Sequence, residues 1–170
     1  MVQTERGAAY DFGMTEPSAA PSASATVQID ASPDAVYALI TDLPTLAALA
    51  EEAAAMELRK GDSIRKGAVF VGHNQNGSRR WSTTCTVTDA EPGRTFAFEV
   101  RYAVIPIARW QYDIAAVDGG SRVTESTWDR RPGWFSKVAG KSTGVTDRVA
   151  ANAKHIQLTL DRLKRRAEGG

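Results

Sequence analysis

The chain has 170 residues, room for one domain, with an ordinary globular balance of 42% hydrophobic and 24% charged residues and no apolar run long enough to span a bilayer. A net charge of +1 removes the electrostatic case for binding nucleic acid or an anionic membrane across the whole surface. A single cysteine, Cys85, and two histidines, His73 and His155, exclude an intrachain disulfide framework and a Cys-based zinc site and leave little for a His-rich one, so neither metal nor cofactor is expected.

Residues 1–24 read as a disordered tail. The stretch from Ser18 to Ser24 is small, polar and low in complexity, and it buries too little apolar surface to offset its ordering entropy. Tyr10, Phe12 and Met14, at spacing two, are either a short docking segment or part of that tail. The opening lacks the charged-then-apolar pattern of a secretory signal, and a reducing, cytoplasmic setting is expected.

Order is expected from about Ala25. Val27 and Ile29 alternate with polar neighbours and predict a strand. Ser32, Pro33 and Asp34 then open a helix as N-cap, first helical residue and dipole-compensating acid, and Val36, Leu39 and Ile40 mark its buried stripe. The helix breaks at Asp42-Leu43-Pro44, and Leu46, Leu49 and Ala50 predict a second short helix to about Ala54.

Six strands follow, near 55–60, 67–75, 79–89, 94–103, 108–117 and 121–129, joined by turn residues at short spacing. Asn76-Gly77 is the strongest hairpin signal and reads as a solvated tip. Trp81, Thr83, Cys85 and Val87 share one strand face, as do Phe96, Phe98, Val100 and Tyr102, and Trp110, Tyr112 and Ile114, while the opposite faces are polar. Val145, Val149, Ala153, Ile156, Leu160 and Leu163 recur at helical spacing and predict a long covering helix, regular from about Thr143 and kinked before it, where Gly140 and Gly144 weaken the turns. The result is an α+β helix-grip: a curved antiparallel sheet of about seven strands around a long C-terminal helix, with two short helices after the first strand.

The segment from Ile29 to Asp42, the Arg80-Trp81-Ser82-Thr83 run, the Glu91-Pro92-Gly93-Arg94-Thr95-Phe96-Ala97-Phe98 turn and strand, and Arg122-Val123-Thr124-Glu125-Ser126 together resemble the START/Bet v 1-like superfamily, in particular the bacterial SRPBCC proteins of polyketide cyclase/dehydrase and lipid-transport type. The resemblance covers about residues 25–166. It implies a cavity between sheet and helix for a small hydrophobic molecule such as a lipid or polyketide. Binding or transport of that molecule is the function expected first. An enzyme of cyclase/dehydrase or hydrolase type and a non-enzymatic interaction module are the alternatives, because a fold does not determine an activity. The family often places a Trp and a Pro near the cavity mouth after the second short helix. Here the stretch Leu46–Met56 has neither, which implies a less aromatic mouth.

The same alternation proposes the site. Trp81, Thr83, Phe96, Phe98, Val100, Trp110, Tyr112 and Ile114 from the sheet, with Val149, Asn152 and Ile156 from the helix, are the candidate ligand-binding residues; any one of the sheet residues taken alone reads as core filling, and the resemblance makes the set a cavity lining. Glu125, His73 and Tyr112 are the candidate acids and bases. Glu125 faces inward if Val123 does and outward if Thr124, Ser126 and Trp128 do; Arg109 and Arg131 are its possible partners. His73 shares the Val69 and Val71 face, which is inner or outer depending on Phe70, and His155 is expected on the solvent side of its helix. Cys85 reads as a small buried apolar residue. The segment Trp128–Phe135 is expected at the cavity rim, or alternatively as a docking patch. A monomer or homodimer with no nucleic-acid partner and no stable membrane insertion completes the expectation.

Overall fold

The computed structural model describes residues 19–169, so Tyr10, Phe12 and Met14 lie outside the described residues. The elements run β1 (Ala23–Ile29), α1 (Pro33–Thr41), α2 (Leu43–Leu49), β2 (Ala53–Lys60), β3 (Val69–Asn76), β4 (Arg79–Glu91), β5 (Thr95–Tyr102), β6 (Ile105–Val117), β7 (Gly120–Asp129), α3 (Gly133–Thr143) and α4 (Arg148–Ala167). The seven strands form one antiparallel sheet in the order β1-β7-β6-β5-β4-β3-β2. Only the β1–β7 pairing joins strands distant in sequence. The α+β helix-grip is therefore the architecture of this chain.

The local chemistry acts as the sequence dictates at α1. Ser32 Oγ accepts from the Ala35 amide at 3.2 Å, and Pro33 occupies the first turn, where its missing N–H costs nothing. Asp42 repeats the device for α2 through the Thr45 amide at 3.1 Å. The second helix ends at Leu49, not near Ala54 as the alanine-rich sequence predicts. Residues from Ala53 onward are drawn into β2, where Ala55 pairs with His73 and Met56 with Gly72. Sheet pairing overrides local helix propensity there. Arg162 of α4 takes over the exposed end of α2, donating to the Leu49 carbonyl at 3.0 Å.

β1 begins at Ala23, two residues before the expected onset of order, and Ser22 already donates its amide to the Thr127 carbonyl at 2.8 Å. The segment expected to be a kinked approach to the last helix is a separate helix, α3, closed by Gly144 in the left-handed region (φ 74°). The Asn76-Gly77 hairpin forms as read, with Asn76 paired to Arg79. Its tip is not merely solvated: Asn76 Nδ2 donates to the Thr143 carbonyl at 2.8 Å and Arg79 Nε to the Lys141 carbonyl at 3.3 Å. These donors satisfy carbonyls that the end of α3 leaves without helical partners.

Packing divides the interior in two. At one end Val36 and Ile40 of α1, Phe96 of β5, Val123 of β7, and Ile156, Leu160 and Leu163 of α4 form a closed core, all buried. At the other end the sheet curls away from α4, α3 bridges the gap, and a hollow remains.

Candidate functional site

That hollow is a cavity of about 440 Å³, bounded by the inner face of β3–β7, the start of β2, α3 and the first half of α4. Its volume falls in the ~300–1,000 Å³ range of small-molecule sites. It runs from exposed residues such as Val138 to the buried Glu125, so it is a cleft reaching from the surface to the core boundary.

Of the proposed binding residues, Trp81, Thr83, Phe98, Val100, Trp110, Tyr112 and Asn152 line this cavity together. Phe96, Ile114 and Ile156 face inward as expected but lie outside the cavity lining and in the closed core. Phe96 acts behind the wall: its ring packs on Phe98 at 5.4 Å and stacks on Tyr112 at 6.4 Å, holding both in place. Val149 is displaced from the site; it is 43% exposed.

The reason is a rotation of the α4 interface. Arg148, Asn152, His155 and Thr159, at spacings of four, three and four, turn toward the cavity, while Val149 and Ala153 face solvent. Only from Ile156 onward does the apolar stripe meet packed side chains. Position 155 is therefore a correction as well: His155 lines the cavity instead of standing on the solvent side, and partial burial holds its imidazole below the ordinary value.

His73 lies on the outer face. Phe70 is the inward residue of β3, meeting Phe98 edge-on at 5.2 Å, so Gly72 and Asn74 line the cavity and His73 turns out to Ser82 Oγ at 2.9 Å and Glu57 at 3.7 Å. It is out of reach of anything in the hollow.

Glu125 takes the inward register. Tyr112 pairs with it across the β6–β7 ladder, and the phenol donates to Glu125 Oε1 at 2.8 Å. Thr124 and Ser126 turn outward to hydroxyls of β1, Thr26 at 2.8 Å and Ser24 at 2.9 Å. Glu125 is 2% exposed, and its Oε2 has no hydrogen-bond partner among the described residues. Burial pushes the carboxyl up to about 8, against the opposing pull of the Tyr112 hydrogen bond. Burial first, then the neighbouring Glu125, raises Tyr112 well above the ordinary phenol value. Neither expected arginine reaches the acid. Arg109 is on the outer face, bound to Thr88 at 2.8 Å, Asp89 at 2.9 Å and Gln111 at 3.0 Å. Arg131 is engaged with Asp129 at 2.6 Å near the mouth.

A second ion pair closes the mouth on the α4 side. Arg148 Nη1 meets Glu52 Oε2 at 2.6 Å and Nη2 donates to Thr143 Oγ1 at 3.0 Å, tying the start of β2 to the end of α3. The Leu46–Met56 stretch thus lines the mouth with small and acidic side chains, and the aromatics of the rim come from Tyr102 and Phe135, whose rings lie 6.3 Å apart. From the expected rim segment, Asp129, Arg131 and Phe135 line the cavity, while Trp128 donates to the Ala19 carbonyl and Trp134 stands 64% exposed. Cys85 lies in the wall, its thiol pushed up to about 12 by burial, which suits packing and not nucleophilic chemistry. Among the described residues no group of three or more His, Cys, Asp or Glu side chains converges as a metal site would require, and no helix is long and apolar enough to cross a membrane.

Residues 20–168 match the family model described as polyketide cyclase / dehydrase and lipid transport. Among solved structures, the chain is similar to the polyketide cyclase-like protein Cgl2372 of Corynebacterium glutamicum, with 24% identity over 84% of this chain and 88% of that one and a TM-score of 0.57. It is similar to CV1439 of Chromobacterium violaceum, with 15% identity, coverage of 86% and 97%, and a TM-score of 0.65. It also resembles the di-domain ARO/CYC StfQ of the steffimycin biosynthetic pathway, at 10% identity and a TM-score of 0.67, where 85% of this chain spans 49% of that protein. A comparison with curated proteins gave no match.

Proposed function

Because the chain belongs to the polyketide cyclase/dehydrase and lipid transport family, we propose that it holds a small, mainly apolar organic molecule, a lipid, polyketide or related aromatic, between the sheet and helices α3 and α4. The observation that carries this reading is the 440 Å³ hollow walled by Trp81, Phe98, Val100 and Trp110. Burial of the guest's apolar surface drives binding, at about 25 cal/mol per Å² removed from water, and Thr83, Tyr112 and Asn152 orient it. A cytoplasmic setting and a monomeric or homodimeric state belong to the same proposal.

A polyketide cyclase/dehydrase- or hydrolase-like enzyme is the second reading, favoured by one observation: a buried carboxyl, Glu125, hydrogen-bonded to a phenol on the cavity wall. A group held near neutral titration suits proton transfer.

Native mass spectrometry of the purified chain, followed by titration with the fluorescent fatty acid cis-parinaric acid, tests the binding reading. One probe per chain is expected, with affinity reduced at least tenfold in Val100→Trp, which fills the hollow. Undiminished binding by a folded Val100→Trp protein, or no binding by wild type, overturns it.

A further inference from the structure

The deepest wall of the cavity is polar where a hydrocarbon side chain would pack at no cost. Glu125 of β7 sits there between β6 and β1, with Oε1 occupied by the Tyr112 phenol at 2.8 Å and Oε2 without any partner among the described residues. Its neighbours do not explain it. Arg109 is committed on the far side of the sheet and Arg131 is committed to Asp129. Burial keeps the carboxyl protonated at neutral pH. A neutral carboxyl whose Oε1 already accepts presents the Oε2 proton as a donor. An orphaned buried donor on a cavity wall is a cost unless the occupant relieves it. The aromatic side chains of Phe98, Trp110 and Tyr112 line the same cavity.

We infer that the molecule held here carries a ketone- or quinone-type carbonyl on a flat apolar frame, and that Glu125 Oε2 donates a hydrogen bond to that carbonyl at the cavity floor. This rests on the binding reading above and adds the polarity of the group that the floor recognises: an acceptor, not a hydroxyl donor.

Three probes of one shape separate the possibilities: 9-fluorenone, which carries the acceptor, fluorene, which has no oxygen, and 2-hydroxyfluorene, which offers a donor. Dissociation constants are measured for wild type, Glu125→Leu and Glu125→Gln, the last retaining an N–H donor. The fluorenone-to-fluorene affinity ratio is expected to fall about tenfold in Glu125→Leu, the size of one hydrogen bond, and to persist in Glu125→Gln. In wild type and Glu125→Gln, but not in Glu125→Leu, the infrared carbonyl stretch of bound fluorenone is expected below its position in an apolar solvent. A ratio unchanged by Glu125→Leu, preference for 2-hydroxyfluorene over fluorenone, or a stretch at the apolar-solvent position overturns this inference while leaving the cavity reading intact. Failure of folded wild type to bind any of the three while it binds cis-parinaric acid overturns this inference alone; failure to bind cis-parinaric acid as well removes both.

Discussion

Tyr112 and Glu125 are direct cross-strand partners on β6 and β7, and among the described residues the phenol of one is the single donor to the carboxyl of the other. The pair places a protonated acid in the cavity wall beside a phenol that stays protonated as well.

The first prediction is a pH dependence of stability. Unfolded, Glu125 ionises near its ordinary value of 4.5; folded, it does so at about 8. Between these limits the native chain holds a proton that the unfolded chain has released. Stability contributed by Glu125 is therefore complete below about pH 4.5 and declines as pH rises, by up to about 1.4 kcal/mol per pH unit, levelling off above about pH 8. The melting temperature of wild type should fall relative to Glu125→Gln between pH 5 and 9. A constant gap between the two across that range would contradict the assignment.

Two aromatics that alternation alone treats alike should behave differently. Phe96 is fully buried in the closed core behind the cavity wall, so Phe96→Ala should cost about 3–5 kcal/mol in urea unfolding. Trp81 is half-buried and lines the cavity, so Trp81→Ala should cost no more than about 1–2 kcal/mol yet weaken cis-parinaric acid binding. Equal stability losses would show that the hollow is not distinct from the core.

Arg148 links three elements through Glu52 and Thr143. Arg148→Ala would strand the largely buried Glu52 carboxylate, a change of about 1–3 kcal/mol given its partial solvent access. Hydrogen exchange should accelerate in α3 and at the start of α4, with the β5–β6 amides unaffected. Uniform acceleration across the sheet would mean that the pair stabilises the whole fold instead of the mouth.

The β5–β6 turn beside Tyr102 contains Ala103 at φ 50°, a conformation that favours glycine. Ala103→Gly should stabilise the chain by about 0.5–1 kcal/mol, read as a higher urea midpoint at unchanged slope. A lower midpoint would show that the turn is not strained.

How far the site is legible in the sequence depends on what each element packs against. β4, β5 and β6 alternate large apolar with polar residues, so their inner faces are unambiguous from Trp81 to Ile114. β3 and β7 are not: Val71 and Phe70, or Val123 and Trp128, offer apolar residues to both sides. Only the ring contact of Phe70 with Phe98 and the pairing of Tyr112 with Glu125 decide the face. The α4 stripe misleads for a different reason. Periodicity locates a buried face because a packed core penalises polar groups, and the first half of α4 covers a hollow that imposes no such penalty on Arg148 or His155. The role of Asn76 and Arg79 at the end of α3 depends on a contact spanning 67 residues in one case and 62 in the other, which no local pattern encodes.

The strand order bears on how the chain is made. β1 leaves the ribosome well before its partner β7, which ends at Asp129, roughly a hundred positions later. Until that partner emerges, the leading strand keeps an unpaired row of backbone groups, a template for mispairing with other nascent chains. The β1–β7 ladder, which flanks Glu125 through Ala25, is then the last of the sheet to zip, so slow docking of β1 would leave the cavity floor open on one side long after the β3–β6 meander has formed.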